Sequence, residues 1–287
     1  MVRTLLEKIV LLSSRFIAGV LAVGLALLLP PWLGASQALG GAPEMGVLIE
    51  RMSRALGGSS GGARALEQAE LIDVVFQRKV KESSSGRKMT ALHRFVQVGA
   101  GQRSRLDIRI AEGKGRDSAT IVRDGAAFLL VDGAVHEISL AAVEARLGEF
   151  SPFRLFSVPL ALATDGPQML GDAALVLAGK VGSGRDSRFI LVGKGADGSE
   201  TARLELDANS YRPVEVAFRS AGGDIVYRYG DYRELRKGLI VPFRREFIRN
   251  GILLSTTEVL SFVTEGPVDD SLFDTAGAEL EPLPGDR

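Results

Sequence analysis

The chain has 287 residues, with 35 Lys and Arg against 35 Asp and Glu, two His and no Cys. Zero net charge gives no basic footprint for nucleic acid. The lack of Cys excludes disulfides, thiolate metal sites, iron–sulfur clusters and Cys nucleophiles.

The first 38 residues differ from the rest. Arg3, Lys8 and Arg15 precede an uncharged run, Phe16 to Leu29, which Pro30-Pro31 ends. Ser36 and Ala38 then supply a small-x-small site. This is the pattern of a secretory signal peptide over 1–38, with a membrane anchor as the competing reading. Removing it leaves one large domain over 39–287, with 35−3=32 basic and 35−1=34 acidic residues. That length is enough for a substantial single core.

Met45, Leu48, Ile49, Met52 and Leu56 recur at helical spacing, so 42–56 is expected to form an amphipathic helix that Gly57-Gly58 ends. A Gly-Ser loop follows at 57–62, and 63–69 is expected to form a short second helix. From Leu71 the period becomes two. Strands are expected over 72–82 and 88–98, then at 105–110, where Leu106, Ile108 and Ile110 share one face. Thr120 to Arg123 ends at Asp124-Gly125, and Phe128 to Val131 ends at Asp132-Gly133; both dipeptides are hairpin signals.

The alternation breaks at Ser139. Residues 139–170 are largely apolar and punctuated by Pro152, Pro159 and Pro167, which predicts short helical pieces between two runs of strands. Strands resume near Ala173 and continue to Thr264, with Asn250-Gly251 as the strongest hairpin signal. The fold class is therefore mainly β (α+β). About eleven strands form a curled antiparallel half-barrel, with an N-terminal helix, a helical lid insertion at about 139–170 and a tail at 275–287.

Several motifs invite a catalytic reading and fail on context. Gly57-Gly58-Ser59-Ser60-Gly61 matches G-x-S-x-G but follows a helix rather than a strand. Gly193 to Gly198 matches G-x-G-x-x-G but leads into a strand, not a helix that could hold a pyrophosphate. His93 and His136 have no carboxylate or hydroxyl at a convincing spacing and read as polar strand residues. Arg103, Arg105 and Arg109 share a strand face with Asp107. That face is expected to be solvated, with cross-strand ion pairs, and an anion or head-group contact is the functional alternative. The same holds for Arg244, Arg245 and Arg249.

LELDANSYRPVEVAF (204–218), YRYGDYRELRKGLIVPFRREFIRNG (227–251), VDDSLFD (268–274) and IVRDGAAFLLVDG (121–133) resemble, in that order-dependent way, the outer-membrane lipoprotein-sorting, LolA-like superfamily. The resemblance spans about 65–280. It implies a half-barrel closed by a helical lid over an apolar cavity, in a periplasmic, non-enzymatic carrier of lipid or lipoprotein acyl chains. Phe95, Leu106, Ile108, Phe128 and Leu130 would line the cavity from the sheet, and Phe153, Phe156 and Leu160 from the lid. Arg105 is the closest match to the family's lid-contacting arginine, with Arg103 the other candidate. An inner-membrane transporter or an outer-membrane acceptor would be the partner of such a carrier. A monomer is expected, and no catalytic residue, cofactor or metal is assigned. The alternative reading is an envelope sensor or interaction module that uses the same fold to bind a protein.

Overall fold

The computed structural model describes residues 44–57, 69–81, 86–99, 102–143, 174–195, 197–220, 223–236, 238–275 and 279–280. Among the described residues one helix, α1 (Met45–Ala55), precedes the strands. The first set is β1 (Leu71–Lys81), β2 (Lys88–Val98), β3 (Arg103–Glu112), β4 (Ser118–Arg123), β5 (Ala126–Val131) and β6 (Ala134–Glu137). The second is β7 (Ala174–Val181), β8 (Arg188–Lys194), β9 (Glu200–Asp207), β10 (Pro213–Ser220), β11 (Gly223–Arg236), β12 (Leu239–Arg249) and β13 (Ile252–Val263).

The thirteen strands among the described residues form one antiparallel sheet that does not close, in the order β6-β5-β4-β3-β2-β1-β13-β12-β11-β10-β9-β8-β7. Two meanders are thus joined back to back at β1 and β13. The count exceeds the expected eleven. Strand β6 has four residues, all exposed, and is too short to show a period.

Local sequence sets the hairpins. Asp124-Gly125, Asp132-Gly133 and Asn250-Gly251 all have positive φ at both positions. That geometry matches the right-handed twist of the flanking strands. The Gly193–Gly198 segment is also a hairpin turn, since Gly195 N donates to Ser199 O at 2.9 Å between β8 and β9.

Helix α1 lies within the expected span. Leu48, Met52 and Leu56 pack against Phe189, Leu191, Leu204, Leu206, Val216 and Tyr229 of β8, β9, β10 and β11. The sheet face that bears α1 is the inner face. A second inner-face cluster joins Ile72, Val74, Phe76, Ala91, Phe95, Leu106, Ile108, Val241, Phe243 and Val259, from β1, β2, β3, β12 and β13. On the outer face Leu71, Val96 and Ile121 pack against Leu272 and Phe273 of a 3-10 turn, Asp270–Phe273.

Helical residues begin at Leu140, where Ser139 Oγ accepts from Ala142 N at 3.2 Å, as expected of a capping serine. The rest of the predicted lid, the predicted signal peptide and the Gly-Ser loop beyond Gly57 lie outside the described residues. Topology still constrains the connection. The chain leaves β6 at one edge of the sheet and re-enters as β7 at the other, so residues 138–173 join the two edges.

Candidate functional site

The inner-face cluster around β1 brings together three of the sequence-predicted residues. Phe95 is directly opposite Leu106, and His93 is directly opposite Ile108, so all four share one face. Their apolar members are 0–8% exposed. His93 belongs to this layer: its ring stacks on Phe76 with centroids 4.8 Å apart. Burial, and secondarily the charge of Arg78, lowers its pKa to about 3. It is therefore neutral near pH 7 and poorly matched to general-base work there. His136 lies on the exposed edge strand β6.

Phe128 and Leu130 are not part of this layer. Phe128 is opposite Ile121, which is opposite Arg105; Leu130 is opposite Ala119, which is opposite Asp107. Both therefore project from the outer face. The residue of β5 that shares the face of Leu106 is Leu129, through Thr120. Phe128-Leu129-Leu130-Val131 is apolar at every position, so its sequence holds no alternation from which a face could be read. Phe153, Phe156 and Leu160 lie outside the described residues.

The Arg103, Arg105 and Arg109 face is corrected from solvated to covered. Arg105 is 2% exposed and Asp107 0%. Arg105 donates twice to Asp107, each at 2.8 Å, and also to Leu272 O at 2.8 Å and Glu279 O at 2.7 Å. Arg103 pairs with Asp270 at 2.6 Å and lies over the Phe273 ring; Arg109 donates to Leu280 O at 2.8 Å. Arg123 donates to Asp274. These arginines hold the C-terminal segment on the outer face, away from the Leu106 layer. Beside them a cleft of about 330 Å³ is lined by Arg109, Leu130, Asp132, Glu279 and Leu280, among others.

Between the two inner-face clusters runs a polar row that sequence reasoning did not single out as a unit. Arg78 of β1 is opposite Thr257 of β13; Thr257 is opposite Arg245 of β12; Arg245 is opposite Tyr229 of β11. Thr257 is 2% exposed, and its Oγ1 has no hydrogen-bond partner. Such a group costs about 1–3 kcal/mol. Arg245 lies 5.6 Å from the centre of the Tyr227 ring. Burial pushes the Tyr229 phenol far up from its usual range, opposed in part by Arg245. The signal available in the sequence was the even spacing of Arg78 behind Phe76, Val74 and Ile72, which puts a cation on an otherwise apolar face.

No group of three His, Asp or Glu placed to hold a metal ion occurs among the described residues. No helix among them is long and apolar enough to cross a membrane.

The geometry defines an open antiparallel sheet with a helix packed on half of its inner face and a separate apolar layer on the other half. No protein-family model matches the chain, and no curated protein sequence does. Among solved structures, a LolA superfamily protein from Nitrosomonas europaea is similar at 13% identity, covering 82% of this chain and 99% of that one, with a TM-score of 0.39. A putative outer membrane lipoprotein-sorting protein domain from Vibrio parahaemolyticus is similar at 12% identity, covering 78% and 98%, with a TM-score of 0.41. The lipoprotein LppX of Mycobacterium tuberculosis is similar at 10% identity, covering 79% and 100%, with a TM-score of 0.30.

Proposed function

We propose that this protein is a non-enzymatic lipid- or lipoprotein-binding carrier of the bacterial periplasm, holding acyl chains against the inner face of β1, β2, β3, β12 and β13. One observation carries the reading: the apolar layer of Phe76, Phe95, Leu106, Ile108, Val241 and Phe243 is separate from the layer that α1 occupies on the same face. A sheet needs only one covered face to fold, and α1 covers half of it. The other half offers aromatic and aliphatic surface, against which each buried methylene contributes about 0.8 kcal/mol. Because these side chains are buried, uptake requires the layer to open. The connection 138–173, which joins the two edges of the sheet, is the segment we assign as the movable cover, with Phe153, Phe156 and Leu160 facing the chain.

The rest of the reading follows from the sequence. Residues 1–38 direct export and are removed, leaving a monomer in the periplasm. An inner-membrane transporter or an outer-membrane acceptor loads or unloads it. Phe128 and Leu130, on the outer face, are not part of the acyl site.

Native mass spectrometry of freshly purified protein is expected to show acyl-chain adducts, and a fluorescent fatty acid is expected to bind. Ile108→Ser should weaken binding of that probe at least tenfold, whereas Phe128→Ser should leave it within about twofold. Absence of both adduct and probe binding removes the carrier reading. Equal loss in the two variants removes the assignment to the inner face.

A further inference from the structure

We propose that the tip of the β12–β13 hairpin, with the lysines of the adjoining β1–β2 hairpin, docks the protein on an anionic lipid surface. Ile252 and Leu253 enter that surface, and Lys79, Lys81 and Lys88 meet its head groups. The proposal stands apart from the carrier reading, because a sheet end can meet a membrane with or without an acyl ligand.

Three observations converge at the end of the sheet where β1 turns into β2 and β12 into β13. The first is the tip itself. Ile252 and Leu253 are 50% and 43% exposed. They are consecutive in a strand, so their side chains point to opposite faces of the sheet. Exposure on both faces means that the tip projects past its neighbours. A flat protein partner on one face would cover one of the two side chains; a medium that the tip enters covers both. The other large exposed apolar side chains among the described residues are Val135, Leu140, Val176, Val181, Leu260 and Val263, and no two of them are consecutive. Apolar residues scattered singly are ordinary surface.

The second is how the tip is held. Arg249 is opposite Ile252, and Ile248 is opposite Leu253, so the hairpin is paired up to its turn. Asn250 N donates to Asp224 O at 2.9 Å, and Asn250 Oδ1 accepts from Asp224 N at 3.0 Å, which ties the turn to β11. Such a hairpin can enter the head-group region without unsatisfied strand amides and without the ordering cost of a free loop.

The third is charge. Strand β1 lies beside β13, with Val80 opposite Ser255. Lys79, Lys81 and Lys88 are exposed at this end, and Lys81 is directly opposite Lys88. Among the described residues none of these three lysines is in an ion pair. The acids nearby are engaged by other groups: Asp117 by Arg109, Asp224 by Arg219 and Glu246 by Arg244, while Glu112 accepts from Thr90. Cations that face each other repel, and an anionic surface relieves that repulsion. Leu253 and Ile252 lie beyond Ser255 along β13, by about 7–10 Å of strand. The tip therefore leads, and the lysines follow at the depth where long basic side chains sit at a lipid surface.

A probe at the tip tests this. The chain has no Cys, so Ile252→Cys can be labelled at a single position with a polarity-sensitive fluorophore; Val181→Cys, at the exposed end of edge strand β7, is the control. With vesicles of phosphatidylcholine and phosphatidylglycerol, the label at 252 is expected to brighten severalfold and shift to the blue, and the label at 181 to stay unchanged. Vesicles of phosphatidylcholine alone should need at least tenfold more lipid for the same response. Lys79→Gln, Lys81→Gln and Lys88→Gln together should raise the half-saturating concentration of the mixed vesicles about a hundredfold, since each basic residue near such a surface contributes about fivefold. Leu253→Ser should raise it severalfold. All four substituted side chains are exposed, so the melting temperature is expected to hold, which separates lost docking from misfolding. No response at 252 to either vesicle overturns the proposal and leaves the carrier reading, which is read from acyl adducts in solution, standing. Equal response to both vesicles, or an unchanged response in the lysine variant, overturns the anionic surface. An equal response at 181 overturns the assignment to the tip. A response at 252 that grows with protein concentration in the absence of vesicles makes the occupant a second copy of this chain and overturns the proposal.

Discussion

Arg105 and Asp107 are two positions apart on β3 and therefore on one face, and that much is readable from alternation alone. Their burial is not. The cover is the turn at 270–273 and the Glu279-Leu280 backbone, more than 160 positions away in sequence. No local pattern announces a contact of that range. The buried pair has a sharp energetic signature. Removing one partner leaves an uncompensated charge, whereas replacing both with apolar groups of similar volume is often neutral. Arg105→Ala is therefore expected to cost about 3–5 kcal/mol in urea denaturation. Arg105→Met combined with Asp107→Leu should recover most of that loss. Limited proteolysis should cut within the last twenty or so residues of Arg105→Ala first, because the guanidinium holds two carbonyl groups of that segment. A loss below about 1 kcal/mol, with an unchanged cleavage pattern, would show that the segment is held by other contacts.

At the scale of elements, what was legible depended on how many positions carried the signal. Helix α1 shows a full apolar stripe, and the Asp-Gly and Asn-Gly turns fix their hairpins through two residues of positive φ each. Strand β5 is apolar throughout, so the sequence announces the strand but not its facing, and Phe128 and Leu130 lie on the opposite side of the sheet from Leu106. Docking of α1 depends on a close approach at its C-terminal end. Gly57 has φ +82°, and a Cβ there would lie 2.2 Å from Gly238 O, a backbone atom that cannot step aside cheaply. Leu56 O accepts from Ile240 N across the same junction. Gly57→Ala therefore combines a left-handed conformation, about 1–2 kcal/mol for an L residue, with a backbone clash. Its melting temperature should fall by about 5–10 °C, on a scale of about 2–4 °C per kcal/mol for a domain of this size. Gly46→Ala, inside α1 with nothing within 4 Å of the added carbon, should leave stability unchanged or raise it by up to about 1 kcal/mol. Matching effects from the two substitutions would mean that helix propensity, not the junction with β12, governs how α1 is held.

For the whole molecule, the deciding feature is the seam. Alternation and turn residues specify strands and their immediate hairpin partners. They do not specify that β1, the first strand, pairs with β13, the last. That pairing places the two chain-distant strands at the centre of the sheet and puts β6 and β7 at its two edges. Edge strands are bonded on one side only, so their amides are released by breaking a single ladder. Strand β6 is four exposed residues, and β7 exposes Val176 at 38% and Val181 at 50%. Strand β1 is bonded on both sides and carries Ile72, Val74 and Phe76 in the apolar layer. Hydrogen exchange read by mass spectrometry should therefore rank β1, β2, β12 and β13 slowest and β6 and β7 fastest, a separation of several kcal/mol in opening free energy. The seam also couples the two meanders, because neither can leave without exposing a full central ladder and the inner-face layer that spans it. The slow class should accordingly span strands from both meanders and open as one unit near the global stability. Slow exchange confined to one meander would show that the β1–β13 ladder is not what unites the sheet. Protection of β6 and β7 equal to that of β1 would show that the edges are covered, and the connection between them would be the segment within reach of both.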